Sequence, residues 1–162
     1  MCCAASSLPG RPANPRPGAD HQLAPHTSFL EDSVELAFPH AGPPAPVALV
    51  IDDSLVERML GTAILQKLGF AVICVASAEQ ALLQMAGTRF DLALCDLCLP
   101  DMDGLELLAA MRAMSQRPPC IMLSAHDDGL FAEAALRAGA SAYLAKPLQL
   151  ATLRAVLGTL RR

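Results

Sequence analysis

The sequence predicts an α/β fold: a doubly wound sheet of five parallel strands with helices packed on both faces. Two observations predict it. Short apolar runs alternate five times with amphipathic stretches at helical spacing, with no hairpin between them, and consecutive βα units fold as a parallel sheet with right-handed crossovers. The balance of 53% hydrophobic to 17% charged residues suits a chain that buries a large core. A third observation limits where the fold begins. Nine of the 13 prolines lie in the first 46 residues, so the chain divides into a disordered proline-rich leader, residues 1–46, and a domain, residues 47–162.

The elements follow in order. Val47-Ala-Leu-Val-Ile51 is an unbroken apolar run, as expected of a central parallel strand covered on both faces. Val56, Met59, Leu60, Ala63, Ile64 and Leu68 recur at helical spacing and are expected to form the buried face of the first helix, which Gly69 ends. Residues 71–75 form the second strand. Ser77-Ala-Glu-Gln80 resembles a capping box opening a helix that runs to about Gly87. Residues 92–95 and 105–114 are the third strand and helix, with Ala109, Met111 and Met114 as core filling. Residues 121–123 are the fourth strand, followed by a helix from about Asp128 that ends before Gly139. Residues 142–145 and about 148–160 complete the fold. Within the leader, the segment from Ser28 to Phe38 has helical periodicity and reads either as a transient helix or as a docking motif. A start codon placed too far upstream is the other account of these 46 residues.

Several function classes drop out on composition. Twelve Lys and Arg against 16 Asp and Glu leave leader and domain at −2 each, with no basic stripe for nucleic acid. No stretch approaches the roughly 18 apolar residues of a membrane span, and the N-terminus lacks a secretory signal. A cytoplasmic protein is expected. Six cysteines are too few and too uneven for a disulfide framework. Cys74, Cys95 and Cys120 read as small buried hydrophobes. Cys95-Asp96-Leu97-Cys98 spells C-x-x-C, but it opens no helix and no second pair completes a zinc site.

The chemistry lies where the strands end, since ligands of doubly wound sheets bind at the carboxyl ends of the strands. Asp52-Asp53 follows the first strand, Asp96 the third, Ser124 the fourth and Lys146 the fifth. Three carboxylates in one crevice repel one another unless a hard dication sits among them, and Mg²⁺ takes one or two carboxylates together with phosphate oxygens. Asp96 is then placed to attack phosphorus, with Lys146 and Ser124 offering a cation and a hydroxyl to phosphoryl oxygens. The Lys146-Pro147 bond is a candidate cis peptide.

Taken together, Asp52-Asp53, Cys95-Asp-Leu-Cys-Leu-Pro-Asp-Met-Asp-Gly104, Leu123-Ser-Ala125 and Tyr143-Leu-Ala-Lys-Pro147 resemble the receiver domain of two-component response regulators over residues 47–160. The resemblance implies a flavodoxin-like strand order, 2-1-3-4-5. It implies Asp96 as phosphoacceptor, Mg²⁺ held by Asp53, Asp96 and the backbone carbonyl of Cys98, and Asp52 acting through a metal-bound water. Lys146 would bind the phosphoryl group, while Ser124 and Tyr143 would switch the surface of the fourth helix, fifth strand and fifth helix. Cys98 and His126 occupy positions that tune the lifetime of the phosphoryl group in this family.

Each motif has a plainer reading. Asp52-Asp53 alone signals a helix start; Asp101-Met-Asp103-Gly104 lacks the closing Glu of a calcium loop and reads as a β-turn; Tyr143 alone is a core aromatic. No GxGxxG or GxxxxGK[ST] motif supports nucleotide binding. The expected function is a stand-alone phosphorylation switch with no turnover of a separate substrate. Its phosphoryl group would come from a sensor histidine kinase or a histidine phosphotransfer protein, and its output would pass to a partner protein. A phosphorylation-independent interaction module of the same fold is the alternative.

Overall fold

The computed structural model describes residues 44–125 and 129–160. Strands and helices alternate: β1 (Val47–Ile51), α1 (Leu55–Lys67), β2 (Ala71–Val75), α2 (Ala78–Gly87), β3 (Leu92–Asp96), α3 (Gly104–Arg112), β4 (Cys120–Ser124), α4 (Gly129–Ala138), β5 (Ala142–Ala145) and α5 (Leu150–Leu160). All four strand pairings are parallel, in the order β2-β1-β3-β4-β5. This is the order expected. Residues 1–43 of the leader, with the segment from Ser28 to Phe38, and His126 and Asp128 lie outside the described residues.

Alternation along each strand sorts the core into two layers. Ala48, Val50, Leu92, Leu94, Ile121 and Leu123 face one way and pack with Ile64 and Leu65 of α1 and Leu153 and Leu157 of α5. Leu49, Ile51, Ala93, Cys95, Cys120 and Met122 face the other way, against α2, α3 and α4. The three central strands are buried along almost their whole length because both faces are covered. Each large aliphatic side chain so buried contributes roughly 1.5–3 kcal/mol.

Three expectations are corrected. The buried stripe of α1 is Gly61, Ile64 and Leu65, whereas Val56 and Met59 are 71% and 64% exposed; Ala63 is exposed too. Gly61 is on the contact face: a Cβ there would lie 3.4 Å from Val50 Cγ1, so α1 rests on the sheet at its smallest residue and turns Val56 and Met59 outward. Cys74 is exposed, because β2 is an edge strand, and Ala109 faces out from α3.

The helix ends follow local chemistry. Gly69 and Gly139 take φ of +88° and +102°, the left-handed conformation that stops α1 and α4. Ser77 accepts from Gln80 N, but the Gln80 side chain accepts from Ala76 N, one residue before the position a capping box requires.

Candidate functional site

The parallel register carries the chemistry to one edge. Asp96 and Ser124 are the last residues of β3 and β4, Asp52 directly follows β1, and Lys146 directly follows β5. Asp52 N still donates to Val75 O, Leu97 N to Leu123 O and Lys146 N to Ser124 O, so the sheet ladder extends into the site and fixes its backbone. Among the described residues, the buried polar or charged side chains are Asp52, Asp96 and Ser124, all at this edge.

Carboxylate oxygens of Asp52, Asp53 and Asp96 lie within 4.8 Å of one another, with Asp53 exposed. Lys146 Nζ stands 2.7 Å from Asp52 Oδ2 and 3.0 Å from Asp96 Oδ1, partly neutralising the pair. Burial pushes the Asp96 carboxyl above its ordinary range; the hydrogen bond and charge of Lys146 oppose this without cancelling it. Burial acts to lower the Lys146 pKa, yet its hydrogen bonds to Asp52 and Asp96 outweigh that effect and raise it. The lysine is therefore firmly cationic. The Cys98 backbone N–H donates to the Asp96 carboxylate. Three hard oxygen donors, with no imidazole or thiolate among them, fit Mg²⁺ and not a thiophilic metal.

Ser124 and Tyr143 share a sheet face. Tyr143 pairs with Met122, two residues before Ser124, so alternation places both toward α2, α3 and α4. Tyr143 is half-buried there. The Lys146-Pro147 peptide is cis.

The β3–α3 loop is not the simple β-turn expected. Asp103 caps α3, accepting from Leu105 N at 2.8 Å while Glu106 Oε2 accepts from Asp103 N at 3.3 Å. This box was legible as Asp-x-x-Glu. Asp101 reaches across to α2, its carboxylate accepting from Ala78 N at 3.0 Å and Glu79 N at 2.9 Å. Those two backbone bonds hold its carboxyl below the usual range, that from Glu79 acting most. At Gly104 a Cβ would meet Asp96 O at 2.6 Å and Leu97 Cα at 2.9 Å, so only glycine lets α3 begin against the backbone of Asp96. Asp101 and Gly104 stand in a motif that carries the resemblance, but their partners are set by packing and are not read from it.

The C-x-x-C motif does not come together as a pair. Cys95 is buried and Cys98 exposed, both as free thiols. The hydrogen bond between Cys95 and Cys120, followed by burial, raises the Cys95 thiol well above its ordinary pKa, which keeps it protonated and unreactive.

The model of the response regulator receiver domain matches residues 48–158. The sensory/regulatory protein RpfC of Xanthomonas campestris is 39% identical over 116 residues, covering 69% of this chain and 16% of that protein. The transcriptional regulatory protein ZraR of Escherichia coli is 36% identical over 109 residues, covering 67% and 25%. The chain thus spans a quarter or less of these curated relatives. Among solved structures, the chemotaxis response regulator CheY4 of Vibrio cholerae superposes with a TM-score of 0.64 at 31% identity, covering 73% of this chain and 98% of that one. A putative response regulator from Chloroflexus aurantiacus gives 0.68 at 31% identity, covering 73% and 99%. With its strand order, its acidic edge and these likenesses in agreement, the chain belongs to the response regulator receiver domain family of two-component systems.

Proposed function

We propose that residues 47–162 act as a phosphorylation-controlled switch. The observation that carries this reading is the convergence of Asp52, Asp53, Asp96, Ser124 and Lys146 at one sheet edge, which holds every buried polar side chain among the described residues. An Asp96 carboxylate oxygen attacks the phosphorus of a phosphohistidine; the new P–O bond forms as the P–N bond breaks, and the departing imidazole takes up a proton. Mg²⁺, held by Asp53, Asp96 and the Cys98 carbonyl and by Asp52 through water, would neutralise charge on the transferred group. Lys146 binds a phosphoryl oxygen as a point charge. Ser124 donates to another, and the added charge of about −1.5 to −2 draws it inward. Tyr143, on the same face, follows and alters the surface around α4, β5 and α5.

A sensor histidine kinase or a histidine phosphotransfer protein supplies the phosphoryl group. Leu55, Val56 and Met59, each more than 60% exposed, flank Asp52-Asp53 and suit a protein donor better than a small molecule. The altered surface is read by an output protein, and no separate substrate is turned over. None of the described helices is long and apolar enough to cross a membrane, and the phosphotransfer reading places the chain in the cytoplasm with its donor.

Incubation with acetyl phosphate and Mg²⁺ tests the reading by mass spectrometry. One phosphoryl group is expected on the wild type and none on Asp96→Asn. No mass gain, or an equal gain in the variant, would replace the switch with a phosphorylation-independent interaction module.

A further inference from the structure

The geometry points to Arg58 as a positioning residue for the cation-binding loop, an inference that rests on the Mg²⁺ reading above. Arg58 lies in the first turn of α1, where the positive end of the helix dipole makes a cation unfavourable unless something compensates it. Here the compensation is visible. Its Nη1 donates to Asp52 O at 2.6 Å and to Asp53 O at 2.8 Å, so the two N–H bonds of one nitrogen hold the carbonyls of both acids. Charge-assisted bonds of this kind are about twice as strong as neutral ones.

The clamp bears differently on the two acids. Asp52 is also held through its carboxylate, by Ser54 N at 2.8 Å and by Lys146 Nζ at 2.7 Å. Asp53 is exposed, so its carboxylate depends far more on its backbone for direction. Two fixed carbonyls set the planes of the peptides that follow Asp52 and Asp53, and hence the direction in which Asp53 presents its oxygens to a cation shared with Asp96. Groups that orient metal ligands without touching the metal typically carry 10- to 100-fold in affinity.

The sign of the effect separates positioning from charge. Electrostatics alone predicts that removing a nearby positive group tightens dication binding, whereas loss of the clamp weakens it. Mn²⁺ shares the oxygen-donor preference of Mg²⁺ and is followed by electron paramagnetic resonance in titrations of wild type, Arg58→Met and Arg58→Lys. We expect about tenfold weaker binding in Arg58→Met, partial recovery in Arg58→Lys, and a wild-type rate of phosphorylation once Mg²⁺ is saturating. Unchanged or tighter Mn²⁺ binding in Arg58→Met, beside a wild type that binds, overturns the positioning role and leaves the switch reading intact. A phosphorylation defect that persists at saturating Mg²⁺ also overturns it. A wild type that binds no dication overturns the cation site and this inference with it. Should Arg58→Met fail to fold, Arg58→Lys decides: severalfold weaker binding supports the clamp, and wild-type affinity refutes it.

Discussion

Three residues, 52–54, turn β1 into α1, whereas seven, 97–103, separate β3 from α3. The short loop carries two acids of the site and the long one directly follows the third, Asp96, but the two loops are held differently. In the short loop the ties are mostly local: Ser54 N to Asp52 Oδ1, Ser54 Oγ capping α1, and Arg58 reaching back five and six residues. The long loop has local ties too, Asp103 capping α3 and Gly104 packed against the backbone of Asp96 and Leu97, but it is also held from elsewhere, by Leu123 of β4 and by the first turn of α2 through Asp101. A short loop inherits its shape from its own sequence. A long one takes more of its shape from its neighbours, and disturbance of those neighbours is expected to move Asp96.

The comparison breaks most readily at Gly104. A methyl group there meets backbone atoms that cannot rotate away, so Gly104→Ala is expected to destabilise the domain by about 3 kcal/mol in urea denaturation, at the upper end of overpacking costs. A loss below about 1 kcal/mol would mean that the long loop yields easily and is less constrained than its contacts suggest.

Lys146 joins the two loops, and its removal sharpens what each contributes. Its side chain is 13% exposed, against 1% for Asp52 and 8% for Asp96, so Lys146→Met strands two buried carboxylates. A cost of about 2 kcal/mol is expected in EDTA, below the full value for breaking a buried pair because the edge is partly solvated. Saturating Mg²⁺ is expected to reduce that cost, since a dication supplies the lost charge. Equal losses with and without Mg²⁺ would count against the acids sharing one cation.

The smallest expected effect is at Asp101, which is exposed. Its folded pKa is depressed, chiefly by the backbone bond from Glu79 and then by that from Ala78. The stability it contributes is therefore fully present above its unfolded value of about 3.9 and is lost as the pH falls through the folded value. Denaturation of wild type and Asp101→Asn from neutral to acid pH is expected to show a gap that closes below the ordinary carboxylate range. A gap independent of pH would show that the charge of Asp101 does not tie the long loop to α2.

The acids, Ser124 and Lys146 were legible because each follows an apolar run, and in a parallel sheet all such positions share an edge. Other features were not legible, for reasons of distance. Val56 and Met59 fit a helical period as well as Gly61 does, and a period counted on large apolar residues cannot see that a glycine makes the contact. Cys74 sits in an apolar run like Cys95, yet one strand is at the edge of the sheet and the other at its centre. Asp101 bonds to residues more than 20 positions away.

The sequence by itself determined the alternation of elements, the set of polar residues at the strand ends and, through its motifs, the family. Those are properties of neighbours along the chain, where hydrophobic period and turn chemistry act within a few residues. Only the tertiary structure decided which face of α1 is buried, how near Lys146 stands to each carboxylate, and that Asp101 ties the long loop to α2. Such contacts depend on chain segments brought together by packing, and their energies fall off too steeply with distance to be read from spacing alone.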